Sequence, residues 1–340
     1  FSGHYFGEEM LVDHVRSYGN MLSVQRQSDY PGMDILACWP EGYFPQDAKY
    51  VQMAARKCGS NGFMAEVCPF DNPEEFGKAP FDNLLATMGL NYISGVRTTQ
   101  SYAEADFSAF GDGRFRDFLP RNQDMFGQVR KYFDRAQMRQ LNAYVGRMGL
   151  LLDGLQNQCT TVLYFGIEDV QAKYTPKHDC EVGAQAIGCD LATLRLLRAM
   201  LDEGRDFLFA DAEDLTEIAR TGRLGGEEIR RILLPGLDVI RPEALAALRQ
   251  LKKAGVCVLF AEKLPHIDAL SGQQLQLAGE FEAVSVQEAV QIPDAQEPQF
   301  KTLSGPIVRQ ARYRTRDSKS MFFLLNPGRT ESVVRLPGAD

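Results

Sequence analysis

The stretch Gly62–Val67 (GFMAEV) places one acidic side chain, Glu66, near the C-terminal end of an otherwise apolar run. A short apolar run of this kind bounded by turn residues predicts a buried strand. Just upstream, Val51, Ala54, Ala55 and Cys58 keep three- and four-residue spacing until Gly59, which predicts a helix stopped by glycine. Just downstream, Phe81, Leu84, Leu85 and Met88 repeat that spacing up to Gly89, and Asn91–Val96 (NYISGV) predicts the next strand. Strand, helix and strand at this rhythm mean parallel βα units. Working further out, Leu11, Val12 and Val15 predict a helix, and Met21–Gln25 a strand before the polar run that follows it. About four strand ends fall in this first part, half of an eight-stranded barrel, which typically takes about 250 residues.

Beyond it, Met138, Leu141, Val145, Met148, Leu152 and Leu155 line one face of a long amphipathic helix. A second α/β series follows. It has strands at Thr160–Phe165, Phe207–Ala210, Arg231–Leu234 and Val256–Ala261, a helix from Asp190 to Gly204, and a helix opened by Pro242 and closed by Gly255. This pattern predicts a doubly wound, flavodoxin-like layer. From about Phe300 the chain changes to short strands, Ile307–Arg314, Met321–Asn326 and Ser332–Leu336, with 8 Lys+Arg against 3 Asp+Glu over residues 301–340. Three such strands bury no core alone, so they are expected to open a β-sandwich. The expected fold is therefore α/β: the C-terminal half of a (β/α)8 barrel over 1–136, a doubly wound domain over 137–298, and the start of a β-sandwich over 299–340.

Composition narrows the partners. The 340 residues carry 37 Lys+Arg and 45 Asp+Glu, a formal charge of −8, which argues against nucleic acid, whose binding needs cations on the protein. No run approaches the roughly 20 apolar residues that span a bilayer. The chain opens on Phe1 inside an apolar segment and is expected to be a piece of a longer polypeptide. The seven cysteines are scattered, with no C-x-x-C pair, and point to neither a zinc site nor a disulfide framework.

At the C-terminal end of a barrel strand, a carboxylate faces the active-site mouth. Glu66 is thus the candidate base or nucleophile for attack at a sugar anomeric centre; a rim carboxylate paired with an arginine fits the same pattern. His4 and Glu8 are candidates for sugar contacts, although a lone histidine is commonly structural and acids such as Glu8 and Glu9 also suit a helix start. Gln25–Asp34, with Arg26, Asp29 and a Pro31–Gly32 turn, predicts a polar loop suited to hydroxyls. Trp39, the sole tryptophan, is a candidate for stacking on a sugar ring. The doubly wound domain invites an amidotransferase reading, but it has no glycine-flanked cysteine elbow; Cys257 sits within a strand, and Gly222–Gly226 reads as a plain turn.

Taken together, the chain resembles glycoside hydrolase family 106, the α-L-rhamnosidase-like proteins. The resemblance rests on the SGH-x-x-x-EE opening (Ser2 to Glu9), the R-x-x-D-x-PG-x-D run (Arg26 to Asp34), Glu66, the GLN stretch (Gly89 to Asn91), the helix Leu141–Leu152, the segment Ile232–Gly255 and the late strands Arg312–Asn326. It implies an α-L-rhamnosidase-like catalytic barrel, an amidotransferase-like domain without activity, and β-sandwich domains. With Asn91–Val96 counted as the eighth barrel strand, Glu66 falls on the seventh and His4–Glu8 follow the fifth. The resemblance also implies an inverting route with Glu66 as base, an acid upstream of Phe1, and His4, Glu8, Arg26, Asp29, Asn91 and Arg97 around an oligosaccharide or glycoside. Arg97 stands where the family leads one to expect a histidine after the eighth strand. Calcium is implied too, with Glu8, Asp29 and Asp34 as available oxygen donors, and an extracytoplasmic location is favoured. The fragment alone is expected to be inactive. A non-catalytic carbohydrate-binding relative and a β-galactosidase-like barrel glycosidase are the alternatives.

Overall fold

The computed structural model describes residues 2–5, 10–35, 38, 40, 46–60, 62–68, 79–101, 135–176, 184–291 and 300–335. The first unit is a four-stranded parallel sheet in the order β1 (Ser2–Gly3), β2 (Tyr30–Ile35), β3 (Met64–Val67) and β4 (Thr98–Ser101). Helices α1 (Leu11–Tyr18), α2 (Met21–Gln25), α3 (Gln46–Cys58), α4 (Phe81–Ile93) and α5 (Arg135–Leu152) accompany it. Alternation along the strands sets its two faces. Met33, Ile35, Ala65 and Val67 point into a core with Ala48, Val51 and Ala55 of α3 and Leu84 and Met88 of α4. The opposite face carries Tyr30, Gly32, Asp34, Met64, Glu66, Thr98 and Gln100.

Two strand expectations are corrected here. Met21–Gln25 is helix α2, because the Asn20 side chain accepts the Leu22 N–H and caps it. The strand comes later and absorbs Pro31–Gly32, which form no turn: Pro31 pairs with Gly3 and Gly32 with Met64. Likewise Asn91–Val96 is not a strand. Helix α4 runs to Ile93, since Tyr92 and Ile93 bury against Met148 and Leu152 of α5, and the Tyr313 hydroxyl donates to the carbonyls of Tyr92 and Ile93. Gly95, at φ +112°, then turns the chain, and β4 begins after Arg97, whose N–H bonds Phe63 O.

The second unit is a five-stranded parallel sheet. Its strands are β6 (Thr161–Tyr164), β7 (Leu208–Ala210), β10 (Arg231–Leu234), β12 (Cys257–Ala261) and β14 (Ala283–Val284), after the short strand β5 (Gln156–Asn157). In space they run β14-β12-β10-β6-β7. Counted along the chain that is 2-1-3-4-5, the flavodoxin-like doubly wound order. Its helices are α6 (Ile167–Lys173), α7 (Ala184–Asp202), α8 (Ala212–Thr221), α9 (Pro242–Lys253) and α10 (Val286–Gln291). Asp211 caps α8 by accepting the Asp214 N–H, and Gly222 ends it in the left-handed region. Gly225 and Gly226 then turn the hairpin of β8 (Arg223–Leu224) and β9 (Glu227–Glu228), consistent with a plain turn. The pair β11 (Val239–Ile240) and β13 (Ile267–Asp268) lies beside the sheet.

The two units share one core. Tyr50, Met53 and Ala54 of α3, with Leu11 and Val12 of α1, bury against Leu163, Phe165 and Phe209 of the second sheet. The Tyr50 ring lies 4.5 Å from that of Phe209 and 5.2 Å from that of Phe165. The last segment supplies β15 (Lys301–Ser304), β16 (Arg309–Arg314), β17 (Ser320–Leu325) and β18 (Val333–Arg335); β16 lies between β17 and β5, and β15 pairs with β18. Ala311, Tyr313, Met321, Phe323 and Leu325 cover the ends of α4 and α5.

Candidate functional site

Register on the first sheet sets Asp34, Glu66 and Gln100 side by side on β2, β3 and β4. Glu66 is the centre of that row. Its Oε2 lies 2.6 Å from Nε2 of His4, which follows the end of β1; both side chains are partly buried, at 16% and 20% exposure. The other ring nitrogen, Nδ1, is 3.2 Å from the Tyr5 carbonyl oxygen. Among the described residues, no further hydrogen bond reaches Oε1 of Glu66. Asp34 is buried and accepts a long contact, 3.9 Å, from the Cys68 thiol. Burial, reinforced by the Asp34 and Glu66 charges, pushes the Cys68 thiol up, and burial pushes Cys38 up to about 12. Both stay protonated at neutral pH, so neither supplies a thiolate.

The structure brings His4 to Glu66 and leaves the other expected site residues elsewhere. Arg26 and Asp29 precede β2, and Arg97 precedes β4 level with Phe63, about 10 Å short of Glu66 along the strand. Arg26 reaches Glu213 of the second unit at 3.3 Å. The Arg97 guanidinium lies over the Tyr313 ring at 5.4 Å. Asn91 is buried within α4. Because Gly95–Arg97 come before the fourth strand, they cannot be the segment after it. Glu8, Glu9 and Trp39 lie outside the described residues, as does Cys180. The calcium donors do not converge either: Asp29 and Asp34 stand at opposite ends of β2, and no cluster of three or more His, Cys, Asp or Glu among the described residues could hold a metal. From sequence, Asp34 falls on a polar loop although Tyr30–Ile35 has the period-two pattern of a strand, and Gln100 is missed because the next strand is set at Asn91–Val96 instead of Thr98–Ser101.

In a doubly wound sheet, ligands sit outside the carboxyl ends of the strands where the order reverses, here between β6 and β10. The chain fills that crevice itself. A Cβ on Gly166 would lie 2.7 Å from Leu237 Cδ2. Asp169 Oδ1 accepts the N–H groups of Asp238 and Val239 at 3.0 and 2.9 Å. Glu168 accepts from the Tyr164 hydroxyl, and Lys173 bridges Asp169 and Asp238. Cys189 is close to Lys173, but its thiol is pushed up to about 12 by burial and Asp169. A cleft of about 610 Å³ where α2 and α3 meet α8 is lined by Arg26, Arg56, Lys57, Glu213 and Asp214. Its cations are already paired with Glu213, Asp214 and Asp211, so it joins the two units. Among the described residues no helix is long and apolar enough to cross a membrane.

No protein-family model matches the chain, and no curated protein matches it in sequence. Solved structures do resemble it. The beta-galactosidase from Rahnella sp. R3 is similar over 94% of this chain and 46% of its own, with a TM-score of 0.50 and 11% identity. The apo exo-carrageenase GH42 from Bacteroides ovatus is similar over 93% of this chain and 44% of its own, with a TM-score of 0.53 and 13% identity. The chain therefore spans less than half the length of either. At these identities the likeness is one of fold: an α/β chain with parallel sheets, similar to barrel glycosidases.

Proposed function

We propose that the protein to which this chain belongs hydrolyses glycosidic bonds, with Glu66 as a catalytic carboxylate. The observation that carries the reading is a half-buried carboxylate toward the C-terminal end of the third of four parallel strands, on the face opposite the core shared with α3 and α4. If β4 corresponds to the eighth strand of a closed barrel, Glu66 keeps its place on the seventh and His4 still follows the fifth.

Glycosidic cleavage needs two carboxyl groups, one to assist attack at the anomeric carbon and one to protonate the leaving oxygen. On the inverting route, Glu66 takes a proton from water, the water oxygen bonds to the anomeric carbon, and the leaving oxygen departs with a proton from the second acid. That acid is proposed to come from a part of the parent protein outside these 340 residues. Asp34 suits the role poorly, because it is buried and faces a thiol. The motif runs favour an α-L-rhamnoside as substrate. The fold likeness to a beta-galactosidase and an exo-carrageenase favours a second reading, a galactose-type glycoside.

The test is hydrolysis of aryl α-L-rhamnosides and aryl β-galactosides by the full-length protein and its Glu66→Gln variant. Loss of turnover by a factor of about 1,000 or more is expected from removing a reacting carboxylate. Turnover retained by the variant overturns the role of Glu66. A parent protein that binds but never cleaves either glycoside is a carbohydrate-binding relative.

A further inference from the structure

His4 and Glu66 are not on neighbouring strands. The sheet order is β1-β2-β3, so the histidine reaches across β2, a span of about 10 Å between backbones at about 4.8 Å per strand. On β2, between them, Gly32 and Asp34 stand on the same face as Glu66, with Asp34 paired directly to it. A Cβ on Gly32 would lie 2.7 Å from Met64 Cγ and 2.9 Å from Gly3 O. The missing side chain thus permits the close approach of β1, which carries His4 toward this face, and of Met64.

The hydrogen-bond partners set what each ring nitrogen can do. The Tyr5 carbonyl oxygen can only accept, so Nδ1 bonds it in the form of the ring that carries a proton there. The 2.6 Å contact between Nε2 and Oε2 requires a proton between them. One oxygen of Glu66 is thereby engaged, and Oε1 is the one left to meet a reactant.

We propose that His4 is a positioning residue: it clamps Oε2 of Glu66 through one shared proton and so fixes the direction in which Oε1 points. The proposal rests on the glycosidase reading for its kinetic consequence, and it assigns His4 a role other than touching sugar. In the full-length protein, His4→Ala is expected to lower kcat by about tenfold to a hundredfold, the scale of a misplaced reacting group, with KM changed by no more than about twofold. His4→Gln, whose side-chain N–H can still donate to Oε2, is expected to restore most of kcat. A His4→Ala variant that raises KM with kcat unchanged makes His4 a sugar contact and overturns the proposal, as do equal losses in the two variants.

A second readout is independent of turnover. In protein labelled with 15N-histidine, two-bond proton–nitrogen spectra report which ring nitrogens carry hydrogen. The His4 signals are identified by their loss in His4→Gln. Both nitrogens of His4 are expected to show the protonated or proton-sharing signature in the native protein, with Nε2 moving in Glu66→Gln. An unmoved Nε2 overturns the clamp even if Glu66 proves catalytic. A moved Nε2 with turnover retained in Glu66→Gln upholds the pair and removes only the catalytic reading.

Discussion

Burial acts on Glu168 against modest opposition. Loss of hydration pushes its carboxyl up to about 7 from an ordinary value near 4.5, although the Tyr164 hydroxyl and the Arg241 N–H both donate to it. The native state therefore holds a proton that the unfolded chain has already released across that interval, and stability falls as pH rises through it. Above about 7 both states are ionised and the full penalty is present; below about 4.5 both are protonated and it vanishes. Glu168→Gln removes the titrating group while keeping an acceptor for Tyr164. Its melting temperature relative to the native chain is expected to rise between about pH 5 and about pH 8. A difference that stays constant across that range would show that Glu168 does not titrate as its burial requires. At the same scale, Glu66 was legible in the sequence as an isolated acid in an apolar run and His4 as a candidate for a sugar contact, whereas the pairing of the two was not. Nothing in a linear sequence says that residues 4 and 66 will meet across strand β2.

Strand β2 shows how a local signal can mislead. Pro31–Gly32 reads as a turn because both residues favour turns, but tertiary pairing to β1 and β3 overrides that preference. The same holds at the end of α4, where a run of apolar residues too short to reveal its period continued a helix instead of starting a strand. Element types elsewhere were readable where periodicity was long or capped: α5, α9 with Pro242 at its start, and strand β10 at Arg231–Leu234. The glycine at 32 yields a test at the scale of the strand. Gly32→Val is expected to cost about 1–3 kcal/mol, the scale of overpacking a filled site, and to separate His4 from Glu66 by displacing β1, whose Gly3 carbonyl oxygen a Cβ would meet at 2.9 Å. Urea unfolding measures the first effect and the His4 ring spectra the second. A variant with unchanged stability and an intact His4 signal would mean that β1 and Met64 can give way around Gly32.

At the scale of the whole molecule, α3 is buried on both sides: Ala48, Val51 and Ala55 face the first sheet, while Tyr50, Met53 and Ala54 face the second unit. Lys49 adds a buried ion pair to Asp206 at 2.5 Å. The general plan of two α/β series and a strand-rich tail was legible because repeat rhythm survives in sequence. The shared core was not, since amphipathicity reports that a face is apolar but not what will cover it. Tyr50→Ala should cost about 3 kcal/mol or more, as for other large buried aromatic truncations. Calorimetry is expected to show one transition, at a lower temperature, with van't Hoff and calorimetric enthalpies in agreement. Two separated peaks would mean that the layers melt independently. A helix that serves two sheets also limits how this architecture can be dismantled. Severed near residue 137, the downstream piece would keep its doubly wound topology yet display Phe165 and Phe209 to water, and would be expected to precipitate or dimerise through that bare wall. Any recombination of such a piece with another barrel must therefore carry α3 across with it.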